Sequence, residues 1–222
     1  TSPGGFIGGI TTRNILRHEP IARNRALANA FMKLRLVESA GVGRSRIFES
    51  LLRFGKRPPR YTSDGDQVTL TIFDGTYDKK MAALVAEWQR EGRNIDLDGL
   101  LVLMYLREQR FIDSGSACDL LQLSRDTALS VLDRLAGPRG ILERRGETRT
   151  ATYHLNKEVS GALVGKAAYT RTRGIDKARF AEIVRQFVKD HGSATPSEIR
   201  ELLGLGDSKS ARVEVSRMLR EW

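Results

Sequence analysis

Apolar residues at Leu27, Ala30, Phe31 and Leu34 keep the three-and-four spacing of a helix face, and Asn24 precedes them as a candidate N-cap. A Gly-x-Gly turn at Gly41 and Gly43 leads into a second such run, Ile47, Phe48, Leu51 and Leu52, which stops at Gly55. The pattern then switches to strict alternation: Val68, Leu70 and Ile72 are separated by polar residues, which predicts a half-buried strand. From Tyr77 onward it returns to helices. Met81, Leu84, Val85 and Trp88 share one face, and another helix runs from about Asp98.

Beyond Asp98 the order of elements becomes informative. Ser114 to Leu121 gives a short helix, and Ser124 caps a longer one that ends near Ala136, ahead of Gly137 and Pro138. Two strand-like runs joined by a Gly-containing basic turn follow within "ILERRGETRTATYHL". Helix, short helix, turn, helix, hairpin is the order of a winged helix. The order then begins again. Asp176 caps a helix with Phe180, Ile183, Val184, Phe187 and Val188 on one face, and Thr195-Pro196 opens a short helix. A third helix, capped by Asp207, closes the chain where a wing would come.

The expected class is therefore mainly α with some β (α+β). An N-terminal α+β half-domain at 1–75 and a linker helix at 76–97 precede two tandem winged-helix/helix-turn-helix units. The first unit covers 98–157, a basic linker covers 158–173, and the second unit, its wing missing or truncated, covers 174–222.

Charge adds a partner class. The 222 residues carry a net +10, with a sequence pI near 10.1, and phosphate polyanions bind such chains through counterion release. In the first turn-helix, Ala128, Val131, Leu132 and Leu135 face the core, leaving Thr127, Ser130 and Arg134 outward beside the carboxylates Asp126 and Asp133. Arg125 at the helix start and Arg144, Arg145 and Arg149 around the hairpin offset that acidic pair. In the second, Ala211, Val215, Met218, Leu219 and Trp222 form the apolar stripe. Lys209, Ser210, Val213, Ser216, Arg217 and Arg220 lie opposite, a mixture suited to phosphates and base edges. The candidate DNA-binding set is Arg125, Thr127, Ser130, Arg134, Arg145, Arg149, Lys209, Val213, Arg217 and Arg220.

Catalysis finds little support. His18, His154 and His191 are scattered, Cys118 is the single cysteine, and neither a Walker A sequence nor a Gly-x-Ser-x-Gly elbow occurs. No catalytic or metal-ligating set is assigned, and His154, on a hairpin strand, reads as structural. With no membrane-length apolar run and no signal peptide, the expectation is a cytoplasmic protein.

Pro3, Gly4 and Gly5, then Arg23, Asn24, Leu27 and Ala28, then Glu38, Gly41 and Gly43 form an ordered series. It resembles the C-terminal part of the RecG-C-terminal-like ATP-binding region, a divergent branch of the GHKL ATPase group. The resemblance covers about residues 1–75. It implies a predicted bacterial or archaeal transcriptional regulator of the AlbA/Schlafen type, in which such a region precedes winged helices. It also implies nucleotide contacts by Gly4, Gly5, Gly41, Gly43 and Arg44, with phosphate held at the helix N-terminus by Gly41 to Arg44. ATP with Mg²⁺ is expected only with a complete upstream domain, and the abrupt start suggests a piece of a longer protein.

The leading expectation is thus a DNA-binding transcriptional regulator on double-stranded DNA, with homodimerisation left open and no membrane partner. The alternatives are a nucleotide-dependent GHKL-type ATPase or switch, and a winged-helix protein-interaction module.

Overall fold

A computed structural model of the protein describes residues 1–37, 41–146, 151–163, 176–203 and 209–221. It is mixed α+β, with small antiparallel sheets among many helices. The chain divides into two compact units, Thr1–Met104 with Ala117–Ala128, and Tyr105–Ser116 with Leu129–Trp222.

The first unit opens with β1 (Ser2–Pro3), α1 (Arg25–Lys33), α2 (Val42–Arg53), β2 (Arg60–Ser63), β3 (Gln67–Thr71) and α3 (Lys79–Arg90). Strand β3 lies between β1 and β2, antiparallel to both, with Ser2 opposite Val68 and Tyr61 opposite Leu70. Asn24 caps α1 as the spacing predicts, its side chain accepting from the Leu27 N–H at 2.9 Å. Asp78 does the same for α3 at the Lys80 and Met81 N–H groups.

Packing in this unit is uneven. Met81, Leu84, Val85 and Trp88 of α3 are buried, as are Phe48 and Leu52 of α2. Helix α1 buries nothing: Leu27, Phe31 and Leu34 are all exposed. The strand predicted through Ile72 stops at Thr71, and Leu70 and Ile72 are exposed rather than half-buried. Alternation specifies a strand with two unlike faces but cannot supply the layer that covers the apolar one.

Side chains rather than regular structure hold the segment before α1. The Gln122 side chain accepts from the Leu16 N–H at 2.8 Å and donates to the Thr12 carbonyl at 3.1 Å. Arg17 pairs with Asp98 and donates through Nε to the Leu121 carbonyl at 2.8 Å.

Three helices, α4 (Leu97–Glu108), α5 (Ser114–Leu121) and α6 (Arg125–Leu135), contribute residues to both units. In the second unit, α6 leads into β4 (Leu142–Arg145) and β5 (Thr152–Leu155), followed by α7 (Lys157–Leu163), α8 (Asp176–His191), α9 (Pro196–Leu202) and α10 (Lys209–Glu221). Strands β4 and β5 form an antiparallel hairpin with Leu142 opposite Leu155 and Arg145 opposite Thr152. The connection from α4 to α5 adds a bridge that the hydrophobic pattern does not show. Ile112 and Tyr153 exchange both backbone hydrogen bonds at 2.9 Å. Gly140 sits where α6 turns into the hairpin, and its carbonyl accepts from the Asn156 side chain at 2.8 Å.

The last three helices enclose a core of Val184, Ile199, Leu203, Val215 and Met218, against which Phe111, Phe180 and Ala194 also pack. Thr195 and Glu198 form a reciprocal capping box ahead of α9, with Pro196 at its first position. Leu219, expected in the buried stripe of α10, is exposed, while Val215 and Met218 are buried. Val188 of α8 is also exposed. Both residues sit on the margin of an apolar stripe, where burial depends on how wide a neighbour covers it. Asp207 and Trp222 lie outside the described residues, as do the side chains of Ala211 and Asp176.

Candidate functional site

Helix α6 starts at Arg125 because Ser124 caps it, the Ser124 hydroxyl accepting weakly from the Thr127 N–H at 3.4 Å. The Ser124 and Thr127 hydroxyls also meet at 2.8 Å. The helix is amphipathic as its spacing implies. Ala128, Val131, Leu132 and Leu135 are buried, and Arg125, Asp126, Thr127, Ser130, Asp133 and Arg134 are exposed. Burial of the first four fixes the rotation of the helix, so the outward set follows from the core.

Asp133, one of the two acidic residues on that outward face, has a more specific arrangement than a repulsive patch. Tyr153, buried on β5, donates its hydroxyl to Asp133 Oδ1 at 2.6 Å, and Arg144 Nη1 lies 3.5 Å from the same oxygen. Burial and the neighbouring Asp133 carboxylate push the Tyr153 hydroxyl up to about 12, so it stays a donor near neutral pH. On the next residue of β4, Arg145 pairs with Glu143, its Nε 2.9 Å from the carboxylate. Thus Arg144 and Arg145 each face a carboxylate of the protein itself. Tyr153 was not among the residues singled out in the sequence. The available signal was a tyrosine on a strand whose same-face neighbours, Ala151 and Leu155, are apolar, since a buried phenol needs an acceptor.

His154, beside Tyr153, is buried. Its ring lies 5.9 Å from that of Phe111, and its Nε2 is 3.1 Å from the Thr152 hydroxyl. Burial, reinforced by the Arg145 charge, lowers its pKa to about 4. It is therefore a neutral packing residue at neutral pH. The Arg149 position lies outside the described residues.

On α10, Val213, Ser216, Arg217 and Arg220 are exposed, opposite the buried Val215 and Met218. Ser216 turns its hydroxyl back to the Arg212 carbonyl at 2.8 Å. Lys209 begins the helix; its side chain and that of Ser210 lie outside the described residues.

The candidate phosphate residues fall in two places in the first unit. Gly4 donates to the Asp66 carbonyl at 2.6 Å, and the Arg23 guanidinium, bonded to the Gly5 carbonyl at 2.7 Å, covers Gly4. A Cβ on Gly5 would come within 2.3 Å of the Gly65 carbonyl oxygen, so backbone approach alone explains that glycine. Gly41, with φ of 66°, supplies the left-handed turn that starts α2. Arg44 donates to the carbonyls of Ile15 and His18. Gly43 differs from the others in that a Cβ there meets nothing within 4 Å.

Among the described residues no cluster of histidine, cysteine, aspartate and glutamate could hold a metal ion, and no helix is long and apolar enough to cross a membrane.

Residues 1–72 match the family described as "Putative ATP-dependent DNA helicase recG C-terminal", so this segment is similar to that region. The curated proteins contain no match. A solved structure that the chain resembles is the DIP2311 protein from Corynebacterium diphtheriae. The two are 25% identical with a TM-score of 0.58, over 72% of this chain and 34% of that one. The chain thus spans about a third of the length of that solved protein.

Proposed function

We propose that the protein is a DNA-binding transcriptional regulator that reads double-stranded DNA with winged-helix units. The observation that carries this reading is the bridge between Ile112 and Tyr153. It ties the α4–α5 connection by one bridge to the two-stranded β4–β5 hairpin that follows α6, a helix with one buried and one polar face, and this supports a winged-helix reading. The exposed Arg125, Thr127, Ser130 and Arg134 of α6 then serve as the groove-facing side chains, and Arg145 with Arg149 serve phosphate. On α10, Lys209, Val213, Arg217 and Arg220 form the second contact set. The net charge of +10 supports a polyanionic partner.

The test is duplex binding followed by fluorescence polarisation across a salt series. Replacing Lys209→Ala together with Arg217→Ala is expected to weaken binding and to flatten the log–log salt slope by about 0.9 per lost phosphate contact. Unchanged affinity and slope would remove these residues from the interface. A parent protein that binds no duplex would end the DNA-binding reading.

A second reading, nucleotide-dependent switching, draws on the match of residues 1–72 and on Gly43, which the packing does not require to be glycine. It expects ATP with Mg²⁺ to release heat on mixing with the protein, through phosphate held at the start of α2. Calorimetry showing no saturable heat removes it for this chain.

A further inference from the structure

Two adjacent arginines on β4 are each met by a carboxylate, and the two carboxylates come from different elements. Arg144 Nη1 lies 3.5 Å from Asp133 of α6, and Arg145 pairs with Glu143 of its own strand. Asp133 is not a freely swinging surface charge, because the hydroxyl of the buried Tyr153 donates to it at 2.6 Å. A carboxylate fixed on the outward side of α6 also repels any phosphate that approaches Arg144. The buried Tyr153 hydroxyl needs an acceptor at this place but not a charge, and the Asp133 side chain is half-exposed.

We propose that Asp133 and Glu143 are specificity-determining residues of the DNA-binding surface: they occupy Arg144 and Arg145 in the free protein and so suppress contact with arbitrary phosphates. The inference rests on the DNA-binding reading above and deepens it. Non-specific affinity comes from counterions released when basic side chains neutralise phosphates. An arginine already facing a carboxylate releases fewer, so random DNA gains little from it. A half-exposed pair such as Arg144 with Asp133 contributes little net stability, and the Arg145–Glu143 pair is only partly buried. A duplex that seats α6 in its groove can therefore draw the arginine side chains away from these carboxylates and onto its phosphates. Discrimination follows from weakening the wrong complexes more than the right one.

The experiment compares random duplex binding by the parent, Asp133→Asn and Asp133→Asn/Arg144→Ala across a salt series. Asparagine keeps an acceptor for Tyr153 and removes only the charge. Asp133→Asn is expected to bind random DNA roughly fivefold tighter at 0.1 M salt, with a slope steeper by about 0.9. The double variant is expected to return to the parental slope. Glu143→Gln, a conservative change on β4, is expected to act in the same direction through Arg145, which guards the conclusion against a folding defect in the first variant. Parental affinity and slope in both single variants would overturn the inference while leaving DNA binding intact. A gain that persists in the double variant would also overturn it, because the added contact would not be Arg144. A parent with no salt-dependent duplex binding would defeat the DNA-binding reading itself.

Discussion

Gly140→Ala is expected to cost about 3 kcal/mol of stability, the upper end of what overpacking does. A Cβ at this position would lie 1.9 Å from the Leu135 carbonyl oxygen and 2.5 Å from its carbon. Both are backbone atoms in the last turn of α6, so no side chain can rotate out of the way. The residue also donates from its N–H to the Gly137 carbonyl at 2.8 Å and holds Asn156 through its own carbonyl. Any shift that relieves the clash moves α6 against the hairpin, which the Tyr153–Asp133 bond also spans. Urea unfolding by circular dichroism checks this, and a midpoint equal to that of the parent at equal slope would show that the turn relaxes freely. Gly75→Ala is the matched control, because a Cβ there meets nothing within 4 Å.

Acidification is expected to remove stability on the order of 3 kcal/mol through His154 alone. In the folded protein burial and then Arg145 hold this histidine near a pKa of about 4, against an ordinary value of 6.5. Above pH 6.5 the ring is neutral in both folded and unfolded chains, and its contribution is fully present. As pH falls below 6.5 the unfolded chain takes up a proton that the folded one refuses, so stability declines until pH passes the folded value near 4. His154→Gln keeps a neutral polar side chain at the site and should flatten that part of the pH profile. Parallel unfolding curves from pH 7 to pH 4 for both proteins measure the difference, and NMR of the ring protons reads the pKa directly. Identical pH dependence in the two proteins would show that His154 gains a proton without penalty.

Gly140 and His154 belong to neighbouring parts of one joint, where Asn156 after β5 bonds the Gly140 carbonyl, and the sequence displays that joint only in part. The "GPRG" turn after α6 and the two strand-like runs are legible locally, because glycine, proline and alternation act on their own few residues. The faces of α6 are legible for the same reason: Ala128, Val131, Leu132 and Leu135 recur at helical spacing, and all four are buried. The caps at Asn24, Ser124 and Thr195 belong to the same class, since each satisfies N–H groups two or three residues away.

What fails to appear is anything that depends on the thickness of a neighbouring layer. Leu219, Leu70 and Ile72 fit their stripes by pattern yet remain exposed, as does the whole apolar side of α1. A hydrophobic period says which way a side chain points and not whether another element arrives to cover it. The candidate interface divides along the same line. Arg125, Thr127, Ser130 and Arg134 take their outward positions from a local periodicity. The engagement of Arg144 by Asp133, and of Asp133 by Tyr153, joins residues eleven and twenty positions apart.

By itself, then, the sequence determined most of the helices and the hairpin, the caps at Asn24 and Ser124, the rotation of α6 and a basic balance that favours a polyanion, because each arises from contacts within a few residues or from composition; β1, β2 and α7 left no such pattern. Only the tertiary structure decided that the α4–α5 connection joins the hairpin through Ile112, that Arg44 is taken up by backbone carbonyls, and that Arg144 of β4 is met by Asp133 of α6. Those outcomes depend on charged and polar groups from distant segments meeting at hydrogen-bonding distance. Such meetings are fixed by the packing of the core beneath them and leave no period in the chain.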